Sequence, residues 1–175
     1  EVRVIDYVRQ ADFEYKHKVD IKQYEAHKLF VEARLSLTEQ ATSGEDLCRI
    51  VKQEAFDAIL IGADAVWRSP KDNNIYFAEW LFENEDINHV AVASISPAHM
   101  GNGYCTIPED RRRAIHDCLS RFRYITVRDA WTKKVINRDI FGGDVFVNNL
   151  NPDPVFTLFR FVGNEQWFDK GQTPK

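Results

Sequence analysis

No stretch of about 18 apolar residues and no signal-type segment occurs in the chain, so neither a membrane-spanning helix nor a secretory leader is expected, and a soluble, cytoplasmic protein is. Cysteine is scarce. Cys48, Cys105 and Cys118 are odd in number and widely spaced, which fits neither a disulfide framework nor a zinc site. No Cys-x-x-Cys or His-x-x-x-His spacing is present either, so no tightly held metal is expected, and no cofactor. An excess of positive charge is also missing. A net charge of -4 and a pI near 5.8 exclude a general attraction to nucleic acid or to an anionic membrane, so any anion must be met locally. No Gly-x-Gly-x-x-Gly follows an apolar run, which disfavours a dinucleotide enzyme. There is no internal repeat and no low-complexity tract. The only methionine is Met100 and the chain opens at Glu1 on a strand-like segment, so a piece of a longer protein is expected.

What is present is a chain of 175 residues, 44% hydrophobic and 13% aromatic, enough to bury one sizeable core and read most simply as one domain. Its organising stretch is Phe56 to Trp67. Four apolar residues, Ala58-Ile59-Leu60-Ile61, stop at Gly62 and are followed by a lone carboxylate, Asp64. So short an unbroken apolar run fits a buried central strand of a parallel sheet, with Gly62 allowing a sharp turn. Ligands of open α/β sheets collect beyond the carboxyl ends of strands, which is where Asp64 and Trp67 would lie. The competing reading makes Asp64 a helix N-cap and Trp67 a core aromatic.

The remaining elements follow in order. Residues 2 to 8 read as a strand and 10 to 20 as a solvated connection. Tyr24, Leu29, Phe30, Ala33 and Leu37 recur at helical spacing, predicting one or two amphipathic helices packed on the sheet. Ser43 caps a further helix, with Asp46 near its partner position and Leu47, Ile50 and Val51 turned to the core. After a turn-rich loop through Pro70, residues 75 to 82 are aromatic and fit either a short strand or a helical turn. Residues 89 to 94 form a second strand, 108 to 122 a helix, 124 to 127 a third strand, 130 to 136 a helix, and 145 to 147 a fourth inner strand. Arg111 to Arg113 read as a solvated helix face. This βαβ alternation predicts an α/β, Rossmann-like parallel sheet with helices on both faces over residues 1 to 160, with 161 to 175 a truncated interdomain linker.

Four loops at the carboxyl edge would supply Asp64 and Trp67, Ser94 and Ser96, Arg128 and Asp129, and Asp153. Their sequences carry a resemblance. Phe56-Asp57 followed by Gly62-Ala63-Asp64-Ala65-Val66-Trp67, then Val92-Ala93-Ser94, Thr126-Val127-Arg128-Asp129 and Asp153-Pro154, is similar in order and spacing to the polysaccharide pyruvyl transferase family over most of residues 50 to 158. The family pattern has Gly-Ser-Asp-Gln-x-Trp at the first motif and Ser-Val-Arg-Glu at the third. Here Ala63 and Ala65 replace the serine and glutamine, removing two hydrogen-bonding groups beside Asp64. The resemblance implies transfer of a pyruvyl group from phosphoenolpyruvate to hydroxyls of a capsular, exopolysaccharide or cell-wall glycan, or of its lipid-linked sugar, forming a ketal. It also implies a GT-B-like two-domain enzyme of which this chain is the N-terminal half, inactive alone, with the C-terminal domain missing.

Phosphoenolpyruvate carries a carboxylate and a phosphate, so its site needs a permanently charged planar donor, and Arg128 is the candidate. Asp64 is the candidate to orient or deprotonate the sugar hydroxyl. Gly62, Trp67, Ser94 and His99 are the candidate substrate-binding residues, Trp67 by stacking on a sugar face and His99 by proton transfer. The plainer alternatives are an ion pair of Arg128 with Asp129 or Asp153, packing of Trp67 under its loop, and a surface histidine at position 99. A different class also remains: a non-catalytic Rossmann-like module that binds a nucleotide sugar or a protein partner.

Overall fold

A computed structural model describes residues 2–7, 21–68, 74–101, 103–154 and 156. The connection over 10–20, the segment 161–175 and most of the Pro70 loop lie outside them. The described residues form two compact units, one built from the segments before Ala58 together with Trp80–Val90, the other from Ala58–Glu79 and the chain from Ala91 onward. Each is α/β.

In the first unit, strand β1 (Val4–Tyr7) pairs in parallel with β2 (Leu37–Ala41). Helix α1 (Ile21–Glu32) lies between them in sequence. The helical reading of residues 21 to 37 therefore needs correcting at its end: the helix stops at Glu32 and Leu37 opens a strand. Leu29 and Phe30, expected to face a core, are exposed, and the Arg34 guanidinium sits 4.4 Å above the Phe30 ring. Pairing with β1, a contact made over 30 residues away in sequence, overrides the local helical spacing. Helix α2 (Gly44–Glu54) starts as its sequence predicts. Ser43 Oγ accepts the Asp46 N–H at 3.1 Å, and Asp46 Oδ2 accepts the Thr42 N–H at 2.9 Å. Leu47, Ile50 and Val51 are buried at i, i+3 and i+4 spacing.

The second unit carries a parallel sheet of β3 (Ala58–Ile61), β4 (Ala91–Ser94), β5 (Tyr124–Val127) and β6 (Asn149–Leu150), in that order across the sheet. This is the Rossmann-like arrangement of consecutive parallel strands joined by helical segments, here α4 (Glu109–Ser120) after β4 and α5 (Ala130–Val135) after β5, while α3 (Glu79–Phe82), which follows β3 in sequence, belongs from Trp80 onward to the first unit. The aromatic run 75 to 82 is helical, a 3₁₀ turn at Ile75–Phe77 followed by α3. No helix among the described residues is long and apolar enough to cross a membrane.

Two strand expectations are corrected. The Ala58–Ile61 run is an edge strand, with Leu60 exposed and Ile61 buried, while β4 and β5 are the inner strands. Apolar content alone does not separate the two places in a sheet. The fourth strand is not 145–147 but Asn149–Leu150, paired with Thr126 and Val127. Asn137 explains the shift. Its side chain accepts the Phe146 and Val147 N–H groups at 3.1 and 2.8 Å and donates to the Val147 carbonyl at 3.0 Å, satisfying backbone that would otherwise need a strand neighbour.

Candidate functional site at the carboxyl edge of the sheet

Parallel pairing fixes where the strand ends arrive. Ile61 sits opposite Ser94, and Ser94 opposite Ile125, so the residues after β3, β4 and β5 emerge along one edge. The loops there are tied together by backbone. The Ala98 N–H donates to the Asp64 carbonyl at 2.7 Å, the Trp67 N–H to the Ala98 carbonyl at 3.2 Å, and the Arg128 N–H to the Pro97 carbonyl at 3.0 Å. The sharp turn expected at Gly62 falls elsewhere: Asp64 has φ 82° and Ser96 φ 56°, both in the left-handed region that non-glycine residues rarely adopt. Both sit at this edge, and their ties to Ala98, Thr126 and Asn151 hold them there.

This geometry brings Asp64 and Arg128 together. Arg128 Nη1 lies 3.7 Å from Asp64 Oδ1 and 3.5 Å from Asp153 Oδ2. The Arg128 side chain is 29% exposed, Asp153 31% and Asp64 85%, so the cluster opens to solvent on the Asp64 side. Asp64 is no helix cap; the cap is Asp129, whose carboxylate accepts the Thr132 N–H at 2.7 Å and the Thr132 hydroxyl at 3.0 Å. Asp153 is thus the ion-pair partner of Arg128 that the sequence offered, joined by Asp64, while Asp129 serves the helix.

The other expected substrate contacts are placed differently. Trp67 is 0% exposed, stacked on Phe77 at 5.8 Å and edge-on to Phe122 at 6.1 Å, with its indole N–H donating to the Tyr76 carbonyl. Burial leaves no face for a sugar, so the packing alternative describes it. His99 is buried rather than a surface histidine. Its Nε2 accepts the Gly103 N–H at 3.2 Å, which assigns the ring proton to Nδ1, donated to the Trp67 carbonyl at 2.9 Å. With both nitrogens engaged, His99 holds the Trp67 and Gly103 backbones instead of presenting a proton. Ser94 is fully buried, its hydroxyl donating to the Thr126 carbonyl at 3.2 Å while the Thr126 hydroxyl donates to the Ser94 carbonyl at 3.1 Å. That reciprocal pair staples β4 to β5 beneath the site. Gly62 is exposed, and a Cβ there would meet nothing within 4 Å.

Ser96, expected at this edge, takes a supporting part, and two further supporting residues, Thr132 and Tyr104, escaped the sequence reading. Ser96 Oγ reaches the Asn151 and Pro152 carbonyls at 2.8 and 2.9 Å, fixing the backbone that leads into Asp153. Thr132 Oγ1 accepts the His99 N–H at 2.8 Å; its place three residues after Asp129 is the capping signal that could have found it. Tyr104 donates to the Trp67 carbonyl at 2.6 Å, and burial, then the charge of Asp139, pushes its hydroxyl pKa far up, so it stays protonated. Arg111, read as part of a solvated face, is instead mostly buried and paired with Glu79 at 2.5 Å. No group of three metal-ligating side chains is gathered among the described residues.

No known family, no curated protein and no solved structure matches the chain.

Proposed function

We propose that this carboxyl edge is the donor side of a pyruvyl-transfer site, one half of a GT-B-like cytoplasmic enzyme with helices on both faces of the sheet and the acceptor side on a second domain. Arg128 binds the carboxylate or phosphate of phosphoenolpyruvate, and Asp64 meets the sugar hydroxyl. In the reaction the methylene carbon takes a proton, a sugar hydroxyl oxygen bonds to the adjacent carbon, phosphate leaves, and a second hydroxyl closes the ketal. The two hydroxyl protons are accounted for by the new methyl group and the departing phosphate. The observation that carries this reading is the pairing of one guanidinium, loosely held at 3.5 to 3.7 Å, with a solvent-facing carboxylate at the strand ends. It supplies a cation for an anionic donor and a base for a neutral acceptor within one contact of each other.

The test is calorimetric titration with phosphoenolpyruvate. Arg128→Ala should weaken binding about tenfold to a hundredfold, the loss of a charge-assisted contact worth roughly 1.5 to 3 kcal/mol, with little change in melting temperature. A nucleotide sugar bound in place of phosphoenolpyruvate, insensitive to Arg128, would refute the reading in favour of a binding module.

A further inference from the structure

Arg128 meets two carboxylates through one nitrogen, and the two are not held alike. We propose that Asp64 is a displaceable counter-ion, which an incoming anion replaces at Arg128, while Asp153 is a positioning residue that keeps the guanidinium in place throughout. The inference rests on the reading of Arg128 as the donor-anion residue and adds the order in which the groups move.

The asymmetry lies in what anchors each carboxylate. Asp153 is 31% exposed and follows a fastened backbone: the Asn151 N–H donates to the Val127 carbonyl at 2.9 Å, Ser96 Oγ engages the Asn151 and Pro152 carbonyls, and the Asp153 carbonyl accepts the Phe156 N–H at 3.0 Å. Asp64 has its backbone tied to Ala98, but its side chain is 85% exposed and reaches Arg128 at 3.7 Å, beyond hydrogen-bond length. An exposed contact of this kind contributes little and is screened by salt. A phosphate or carboxylate arriving from solvent therefore meets Arg128 on the Asp64 side and exchanges with the weaker partner. The exchange frees Asp64 Oδ1 once the anion is seated, so that the oxygen becomes available to an acceptor hydroxyl only when the donor is in place. Anion occupancy and Asp64 availability are then one event, and donor binding precedes acceptor binding.

Inorganic phosphate and phosphoenolpyruvate are the probes. Asp64→Asn removes the competing charge and should tighten phosphate binding by about 1.5- to 5-fold, the range an exposed ion pair spans, with the gain fading at high salt. Asp153→Asn should weaken it, and Asp153→Glu should restore part of the loss. Carboxyl carbon resonances of the unmutated chain give an arm free of folding effects: added phosphate should move the Asp64 signal and leave that of Asp153 in place. Unchanged or weaker binding by Asp64→Asn, equal tightening by both asparagine variants, or a shift led by Asp153 overturns the proposal while leaving Arg128 as the anion residue. Absence of anion binding by the unmutated chain overturns both readings.

Discussion

Trp67 shows how one residue joins the core to the site. Its ring fills the space between Phe77 and Phe122, and its carbonyl receives both His99 Nδ1–H and the Tyr104 hydroxyl. Trp67→Ala removes the ring and leaves the Tyr76 carbonyl without the indole donor, so a loss of about 3 to 5 kcal/mol is expected in urea unfolding. A loss below about 1 kcal/mol would show that the ring is not a packing element. At this scale the sequence is legible where chemistry is local. Asp64 and Arg128 stand out because charged side chains directly after apolar runs must end at a strand edge. The roles of Trp67, His99 and Ser94 are not legible, since each depends on neighbours 32 to 55 positions away that bury it. The same residue types at the same spacing would serve equally well in a ligand pocket.

Elements divide along the same line. The start of α2 could be read from four residues because capping is settled within one turn. Strands Leu37–Ala41 and Asn149–Leu150 could not, because their existence is decided by a partner strand, and in the second case by the Asn137 amide that occupies the preceding backbone. The cap also gives α2 an acid sensitivity. The Thr42 backbone N–H, then the Thr42 and Ser43 hydroxyls, lower the Asp46 pKa from 3.8 to about 2. A folded pKa below the unfolded one means that the contribution is complete above 3.8 and is lost as pH falls toward 2. Titration followed at the Asp46 carboxyl carbon should therefore show a midpoint near 2, with amides of Gly44–Glu54 losing protection over the same window. A midpoint at 3.8 would remove Thr42 and Ser43 as its partners.

For the whole molecule, the parallel sheet does the placing. Its register delivers three strand ends to one edge, and backbone bonds through Pro97 and Ala98 lash the loops so that residues 64 positions apart in sequence share a contact. The α/β class and the parallel sheet were visible in the alternation of apolar runs and helical segments, whereas the edge place of Ala58–Ile61 was not. The division into two compact units was not, since it depends on which distant segments touch. The central claim is that this edge binds an anionic enol ester, and the direct measurement is a two-dimensional amide spectrum of the chain titrated with phosphoenolpyruvate. The account predicts saturable shifts led by Asp64, Ser96, Ala98, Arg128 and Asp153. Shifts centred instead on α2, where Arg49 pairs with Glu39 and Lys52 with Asp86, or no saturable shift at all, would contradict it.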